Sequence, residues 1–303
     1  MRILLIAGGW SNERAVSLSG AERIESALTD LGHEVRRLDP SSEFDELIFQ
    51  AGQHDFAFLN LHGAPGEDGL IQAMLDASGT PYQGSGPAAS FLALHKAAAK
   101  QLYRKAGLPT PDWRLVAEDP GTAPDPGLGF PVFLKPNNGG SSLGMSRADC
   151  PEALAAATRS LLTQGVEVLW EAEAKGDELT CAVVGDEALP CILIRPLRSG
   201  EFFDYQSKYE AGGAEELCPA PIDGQLESRL RELALAAHRA LGCSGYSRSD
   251  FIVTDEGPLL LETNTLPGMT GTSLVPQSAA EAGMDFESLV ERLIELGLEE
   301  RGR

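Results

Sequence analysis

Two predicted strands in the last third of the chain carry oxygen-bearing side chains that could hold a metal ion. The segments SRSDFIV and PLLLETN flank Asp255-Glu256-Gly257, which predicts a hairpin with a three-residue loop and glycine in its left-handed position. In this register Asp250 lies opposite Glu262. Arg248 lies opposite Asn264. Two carboxylates and an amide oxygen form a set suited to Mg²⁺, with phosphate completing the octahedron.

Strand alternation extends this predicted face to two apolar residues. Ile252 falls on the side of Asp250, and Leu260 falls on the side of Glu262. An alternative is that the two carboxylates only flank Arg248 as a solvated charged face. Both strands are otherwise strongly apolar and should be buried, which favours the metal site.

A lysine and a glycine-rich loop follow a short apolar strand in the middle of the chain. The stretch LKPNNGGSSLGM carries Lys135 and then the small residues 139–142. A point charge and backbone N–H groups can hold polyphosphate, and glycines let such a loop close over it. The lysine precedes the glycines, so the pattern is not the P-loop. Taken alone, the stretch also fits a glycine-serine hairpin with an incidental lysine.

Two features near the N-terminus suggest ligand binding. Gly8-Gly9 after the first strand and Asp39 at the end of the second invite a dinucleotide-binding interpretation, but the full G-x-G-x-x-G pattern is absent and residues 10–13 would crowd a pyrophosphate. Glu13 could instead hold a substrate ammonium at the carboxyl end of a strand. The alternative for Glu13 is a charge that favours the helix dipole.

Two further segments have both a functional and a structural interpretation. His62 stands where a strand ends in the glycine turn of LHGAPGEDG, and a lone histidine at such a place is structural more often than catalytic. Lys208 and Tyr209 belong to the polar, aromatic-rich segment DYQSKYE, and they are either lid residues or ordinary exposed loop residues.

The elements that must position these residues are those of an α/β protein. RILLIAGG, HEVRRLD and FAFLNLHG read as strands, with a helix in SLSGAERIESALTDLG between the first two. This order predicts a parallel sheet with ligands near the carboxyl ends of its strands. Pro87 and the alanine-rich helix at 89–106 predict a domain boundary near residue 86. A further helix is predicted at 226–241.

Composition narrows the class of protein. The 303 residues carry a net charge of −21, which argues against nucleic acid or an anionic membrane as the main partner. No apolar run is long enough to span a bilayer or to form a signal-peptide core. Five scattered cysteines without a C-x-x-C pair suggest neither a disulfide framework nor a zinc site. These features predict a cytoplasmic protein.

Taken together, the motifs resemble those of the D-alanine–D-alanine ligases, bacterial members of the ATP-grasp superfamily. They occur in the family's order over nearly the whole chain: AGGWSNERAVSLSG, NLHGAPGEDG, LKPNNGGSSLGM, DYQSKYE, SRSDF and LETNTLPGMTGTSLVP. The combination is highly specific, although no single motif is.

The resemblance implies an α/β fold of three domains, the ATP-grasp fold, with an N-terminal Rossmann-like domain that has a parallel sheet. The expected domains are 1–86 on the substrate side, 87–176 with the glycine-rich phosphate loop, and 177–303 with the metal and oxyanion residues. ATP would be gripped between the second and third. A homodimer is also expected from the resemblance.

The resemblance assigns the nucleotide site as well. ATP is the expected cofactor, with two Mg²⁺ ions, for which Mn²⁺ could substitute. The implied ATP ligands are Lys96, Lys135, Ser142, Glu178 (at the ribose) and Lys208. The implied metal ligands are Asp250, Glu262 and Asn264.

The implied reaction joins two D-alanines through an acyl phosphate. Glu13 would hold the ammonium of the first D-alanine. Arg248 and the Gly268 N–H would stabilise the oxyanion when the second amine attacks. The remaining substrate-binding residues are His62, Ser273 and Leu274. Glu13, Ser141 and Tyr209 correspond to a hydrogen-bonded triad that closes the mobile loop.

Four positions depart from the family's pattern. Trp10 stands where a small hydroxyl is usual, and Ala15 where an acidic residue is common. His95 replaces the aspartate before the phosphate lysine, and Ala172 replaces a lysine in the adenine hinge. Because of Ala172, the predicted site leaves out residues 170–174.

Two alternatives to D-alanyl-D-alanine synthesis remain. A ligase of the same architecture could use D-lactate or D-serine as its second substrate, although Tyr209 resembles the dipeptide-forming type. The other alternative is a non-catalytic ATP-binding or regulatory protein. The complete set of Lys135, Arg248 and the metal ligands argues against loss of catalysis.

Overall fold

The computed structural model describes residues 1–140, 144–196 and 214–302. Its first part is a parallel sheet in which β1 (Arg2–Ala7), β2 (Glu34–Leu38) and β3 (Phe56–Asn60) take the order β2-β1-β3. Around it lie α1 (Arg14–Asp30), α2 (Pro40–Glu43), a 3₁₀ helix (Phe44–Glu46), α3 (Leu47–Ala51) and α4 (Leu70–Ser78). β3 is buried along its whole length, as the apolar run FAFLN requires of a parallel strand covered on both faces. The predicted opening is confirmed.

The second part contains a four-stranded antiparallel sheet with the order β4-β7-β5-β6. Two helices precede it, and a third lies between its strands. The elements are α5 (Pro87–Leu94), α6 (Lys96–Lys105), β4 (Trp113–Val116), β5 (Val132–Pro136), β6 (Ser146–Ala148), α7 (Pro151–Leu162) and β7 (Val168–Ala172).

The third part is a second antiparallel sheet, with the order β11-β10-β8-β12-β13 and β9 paired to β8. Two helices complete the chain. The elements are β8 (Asp177–Val184), β9 (Glu187–Ala188), β10 (Ile192–Pro196), β11 (Ala214–Leu217), α8 (Gly224–Leu241), β12 (Tyr246–Thr254), β13 (Gly257–Asn264), α9 (Leu274–Glu281) and α10 (Phe286–Arg301).

Three clusters of buried side chains hold these parts together. One joins the parallel sheet to α9 and α10, so the last helix of the chain packs on the first. The second places α5, α6 and α8 against the third sheet. The third lies between α7 and the second sheet. The division at residues 86/87 and 176/177 stays a prediction.

Helix α8 shows how local sequence sets an element. Leu230, Leu233 and Ala237 recur at helical spacing and are buried. The predicted helix is confirmed, but it begins two residues earlier because the Asp223 carboxylate accepts the N–H groups of Gln225 and Leu226 at 2.9 Å. No helix within the three described ranges is long and apolar enough to cross a bilayer.

Candidate active site

A cavity of about 310 Å³ lies between the second and third sheets. Part of its wall is apolar, with Phe133, Ile252 and Leu261 among the contributors. The acidic and basic side chains in its lining include Lys96, Lys135, Glu171, Glu178, Asp250 and Glu262. Asp177 and Arg195 also line it, at the ends of their strands. A cavity with an apolar wall and a few charged groups is typical of a small-molecule site.

Lys135 reaches the cavity because of its position on β5. Phe133 pairs with Glu171 on β7, and Lys135, two residues further along β5, points to the same side. Its ammonium donates a hydrogen bond to Glu171 Oε1. Burial would lower the pKa of Lys135, but the charge and hydrogen bond of Glu171, together with the charges of Glu262 and Glu178, outweigh burial and raise the pKa. Lys135 is therefore a cation at neutral pH.

The other carboxylate oxygen of Glu171 forms an ion pair with a second lysine. Lys100 Nζ lies 2.6 Å from Glu171 Oε2. Burial would raise the pKa of Glu171, but the two lysines outweigh burial and lower it. Sequence reasoning missed Lys100, and it missed Glu171 because residues 170–174 were left out of the predicted site. A carboxylate in the apolar strand VLWEA was the available signal, since a buried charge requires a partner.

Lys96 joins the start of the glycine loop to the predicted metal hairpin. It is the first residue of α6, and its N–H donates to Asn137 O at 2.8 Å. Its ammonium donates to Gly139 O and lies 3.5 Å from Glu262 Oε2. Two lysines thus lie at the cavity beside the loop that was predicted to cover phosphate.

The residue pairs predicted at the site are confirmed, but the turn and the strand geometry that produce them differ from the prediction. Asp250 pairs with Glu262, and Arg248 pairs with Asn264. The predicted three-residue loop is wrong, because Gly257 belongs to β13 and pairs with Thr254, which leaves a two-residue turn. A β-bulge after Asp250 adds the residue that the shorter turn removes.

The bulge also changes which apolar side chain lies beside Glu262. Leu260 was predicted on that face, but it is fully buried in the core under the sheet. Leu261 lines the cavity instead, together with Ile252. The extra residue reverses strand alternation at this point, because side chains alternate with a period of two.

Arg248 and Asp250 form a bidentate ion pair. Arg248 Nε lies 2.9 Å from Asp250 Oδ1, and its NH2 lies 2.8 Å from Oδ2. Thr180 Oγ1 also donates to Asp250 Oδ1, at 2.7 Å. This buried carboxylate is therefore held in place from two directions. Thr180 was not predicted.

The three predicted metal ligands fit a hard cation by their chemistry. Each carboxylate or amide oxygen has more than one acceptor position; Asn264 Oδ1 accepts the Leu266 N–H at 2.9 Å. No three His, Cys, Asp or Glu side chains within the described ranges are grouped to hold a metal alone. An ion bound by Asp250, Glu262 and Asn264 would complete its coordination with oxygens from a ligand or water, as expected for Mg²⁺ with phosphate.

A second group of polar side chains lies at the parallel sheet. Glu13, His62 and Glu67 are all buried. His62 Nδ1 lies 3.7 Å from Glu67 Oε1, and His62 Nε2 has no hydrogen-bond partner among the described residues. A Cβ built on Gly140 would lie 3.8 Å from Glu13 Oε2 and 3.6 Å from Glu67 Oε2. The glycine loop therefore approaches this acidic group, of which Glu67 was not predicted.

The predicted oxyanion residue Gly268 and the predicted substrate residue Ser273 lie close to His62. A Cβ on Gly268 would lie 2.8 Å from Ser273 Oγ and 3.9 Å from His62 Cε1, so a larger residue there would require the Ser273 side chain to move. Ser273 precedes α9, of which Leu274 is the first residue, and its Oγ accepts the Thr270 N–H at 2.9 Å. The structure brings Gly268, Ser273 and His62 together.

Four predicted site residues lie outside the described residues. They are Ser141, Ser142, Lys208 and Tyr209. Glu178 lies on β8, lines the cavity and pairs in register with Ile252 and Ile194. The remaining predicted residues lie at the cavity and its hairpin or around Glu13 and His62, and Leu274 begins α9 directly after Ser273.

Comparison with known proteins gives the same family as the motifs. The family model described as "D-ala D-ala ligase C-terminus" matches residues 102–295. The D-alanine–D-alanine ligase of Oleidesulfovibrio alaskensis is 60% identical and covers 100% of this chain and 98% of its own. That of Maridesulfovibrio salexigens is 52% identical over 99% of this chain and 100% of its own.

Solved structures agree with these relatives. The D-alanine–D-alanine ligase from Bacillus anthracis, complexed with ATP, has a TM-score of 0.88 at 34% identity and covers 99% of this chain and 98% of its own. The VanG D-Ala:D-Ser ligase from Enterococcus faecalis has a TM-score of 0.82 at 28% identity and covers 98% and 99%. This chain therefore belongs to the D-alanine–D-alanine ligase family.

Proposed function

We propose that this protein is an ATP-dependent ligase that joins two D-alanines to D-alanyl-D-alanine for peptidoglycan precursor synthesis. The observation that carries the proposal is the cavity between two sheets, with Lys96 and Lys135 on one side and Asp250 and Glu262 on the other. Relatives with this activity in their names align over the whole chain. The ATP complex of the Bacillus anthracis ligase supports ATP as the nucleotide.

The cavity residues divide into cations for phosphate and oxygens for metal. Lys96 and Lys135, with Ser142 and Lys208, are proposed phosphate ligands, and Glu178 is the proposed ribose contact. Two Mg²⁺ ions are proposed at Asp250, Glu262 and Asn264. When bound, Mg²⁺ would neutralise negative charge on the transferred phosphoryl group.

The first step of the proposed reaction activates the first D-alanine. Glu13 accepts hydrogen bonds from its ammonium, and His62 and Ser273, which both lie near Gly268, are the proposed neighbouring contacts. A carboxylate oxygen of this D-alanine attacks the terminal phosphorus of ATP. A new O–P bond forms while the bond to the β-phosphate oxygen breaks, so ADP leaves and D-alanyl phosphate remains.

The second step forms the peptide bond. The neutral amine of the second D-alanine attacks the acyl carbon, which produces a tetrahedral oxyanion. Arg248 and the Gly268 N–H donate to that oxyanion, and the preorganised charge and dipole lower its energy. Inorganic phosphate leaves with the C–O bonding electrons, and the amine nitrogen gives up a proton.

Closure of a loop completes the proposal. Glu13, Ser141 and Tyr209 form the proposed triad that holds the loop over the site. Excluding water matters because an exposed acyl phosphate would hydrolyse. The approach of Gly140 to the Glu13 carboxylate supports a contact between this loop and Glu13.

We also propose a cytoplasmic homodimer that binds neither nucleic acid nor a membrane. The net charge of −21 supports the absence of nucleic-acid binding, because phosphate backbones repel an acidic protein.

The main competing function is ligation of D-alanine to D-serine. The fold of VanG, a D-Ala:D-Ser ligase, supports it with a TM-score of 0.82, but the identity is only 28%. The 60% identity to a D-alanine–D-alanine ligase and the presence of Tyr209 favour the dipeptide.

Substitution of Glu13 tests the proposed substrate site. Glu13→Gln should raise the KM for the first D-alanine by about tenfold or more, because a hydrogen bond between charged groups loses one of its charges. The KM for ATP should not change. Glu22→Gln, an exposed position on α1, the helix that follows Glu13, is the matched control. An unchanged D-alanine KM, or no ADP release by the unaltered protein with D-alanine, would contradict the proposal.

A further inference from the structure

Lys100 is a lysine buried almost completely, on the side of α6 away from solvent. Its side chain is 1% exposed, and lysine is rarely buried so fully unless it is paired. Its ammonium lies 2.6 Å from Glu171 Oε2 and donates to Thr110 Oγ1 at 2.7 Å. Thr110 Oγ1 in turn donates to Leu260 O at 2.7 Å. Through Glu171 and Thr110, Lys100 therefore connects α6 to both β7 and β13.

Glu171 is shared between two lysines that differ in their access to the cavity. Lys135 holds Oε1, lines the cavity and is 14% exposed. Lys100 holds Oε2 and does not line the cavity. Glu171 itself is 3% exposed. The group thus has two positive charges and one negative charge, and only one of the two cations faces the place where an anion would bind.

This asymmetry decides what happens when Lys135 turns toward a phosphate. Without Lys100, the departure of the Lys135 ammonium would leave a buried carboxylate with no cation among these groups, which is strongly unfavourable. Burial lowers the pKa of Lys100, the charge of Glu171 opposes this, and the charge of Lys135 lowers it further. When Lys135 turns away, its repulsion of Lys100 is removed, and Glu171 keeps a cation 2.6 Å from Oε2. The pKa of Glu171 agrees with this, because the two lysines outweigh burial and lower it.

We propose that Lys100 is a positioning residue for nucleotide phosphate, which acts through Glu171 and leaves Lys135 available to the anion. Lys100 does not touch the nucleotide in this arrangement. The inference rests on the proposed function in one respect, namely that Lys135 meets the phosphates of ATP.

The test compares binding of ATP with binding of adenosine, which has no phosphate. Lys100→Met keeps the length of the side chain and removes its charge. Kd is measured by calorimetry for both compounds, with Mg²⁺ and without D-alanine. We expect the Kd for ATP to rise about tenfold or more, and the Kd for adenosine to change less than twofold. Lys100→Arg, which restores the charge, should recover most of the affinity for ATP. Lys105→Met, at an exposed position of the same helix, should behave as the unaltered protein.

The outcomes separate this inference from the proposed function. Equal losses for ATP and adenosine would show that Lys100 only maintains the shape of the cavity, and would overturn the inference. Unchanged affinity for both would also overturn it. Failure of the unaltered protein to bind ATP would instead overturn the proposed function.

A double variant keeps the inference testable if Lys100→Met does not fold. In a Glu171→Gln background no buried carboxylate requires a second cation. Adding Lys100→Met there should change the Kd for ATP less than twofold. A tenfold rise in that background would show that Lys100 acts independently of Glu171, and would contradict the inference.

Discussion

The guanidinium group of Arg248 meets the carboxylate of Asp250 edge to edge, with Nε 2.9 Å from Oδ1 and NH2 2.8 Å from Oδ2. Such bidentate pairs fix the relative orientation of the two side chains as well as the distance between them. The pair joins two proposed tasks, stabilisation of the oxyanion by Arg248 and metal binding by Asp250. Each side chain orients the other, so a change at either residue should affect both tasks to different degrees.

Arg248→Ala should damage turnover far more than nucleotide binding. Loss of one donor to an oxyanion lowers kcat by about 10²- to 10³-fold, whereas the Kd for ATP should stay within about threefold. Steady-state kinetics and calorimetry measure the two quantities. Arg229→Ala, at an exposed arginine of α8, is the control. A variant whose main defect was affinity for ATP would assign Arg248 to the nucleotide instead.

Asp250→Asn and Glu262→Gln should each abolish measurable turnover while the circular dichroism spectrum stays native. The amide keeps the shape of the side chain and removes the charge that a divalent cation requires. Raising the Mg²⁺ concentration should restore part of the activity. The matched controls are Asp255→Asn and Glu256→Gln, exposed residues in the turn of the same hairpin. Normal turnover in both site variants would rule out the metal assignment.

His238 should make the protein less stable in mild acid. Burial, aided by the charge of Arg239, lowers its pKa from 6.5 to about 4, and its Nδ1 lies 2.8 Å from Ser247 Oγ. The unfolded chain takes up a proton below pH 6.5, but the folded protein does so only near pH 4. The free energy of unfolding contributed by neutral His238 is therefore present above pH 6.5 and lost as the pH falls toward 4.

The variant His238→Gln isolates this effect, because glutamine cannot take up the proton. Between pH 7 and pH 5 the free energy of unfolding should fall by about 2 kcal/mol less in the variant than in the unaltered protein. Urea titrations at the two pH values provide the comparison. Equal falls in both proteins would mean that His238 is not kept neutral by the fold.

Gly297→Ala should destabilise the protein, although alanine is the better helix former. Gly297 lies inside α10, and a Cβ there would come within 2.6 Å of Tyr82 O and 2.8 Å of Phe56 Cζ. We expect a loss of about 1–3 kcal/mol, seen as a lower Tm. Gly224→Ala at the start of α8 is the control, because no atom lies within 4 Å of its added Cβ, and it should be neutral or stabilising by up to about 1 kcal/mol. A higher Tm for Gly297→Ala would contradict the close packing.

The hairpin shows how a sequence pattern can predict a site correctly through an incorrect local structure. Apolar alternation predicted that Asp250 and Glu262 face each other, and they do. The turn was one residue too long in the prediction, and the bulge was not foreseen. The two errors cancel at the carboxylates but not beyond them, which is why Leu261 rather than Leu260 lines the cavity.

Contacts between distant segments were beyond sequence reasoning. Glu171 meets Lys100, and Arg23 NH1 donates to Thr270 O at 2.9 Å across 247 residues. Such pairs depend on where α6 lies relative to β7 and where α1 lies relative to the turn before α9, and periodicity describes only one element at a time. The chemical types at the site could be predicted, because lysines, carboxylates and glycines keep recognisable spacing within their own segments.

The most direct test of the central claim is mass spectrometry of the products formed by the purified protein from ATP, Mg²⁺, D-alanine and an equal amount of D-lactate at neutral pH, with ADP release followed in parallel. We predict that D-alanyl-D-alanine accumulates in step with ADP and exceeds the D-alanyl-D-lactate depsipeptide. A depsipeptide excess would contradict the second-substrate assignment and the argument from Tyr209. The absence of both ADP and product would contradict the ligase itself.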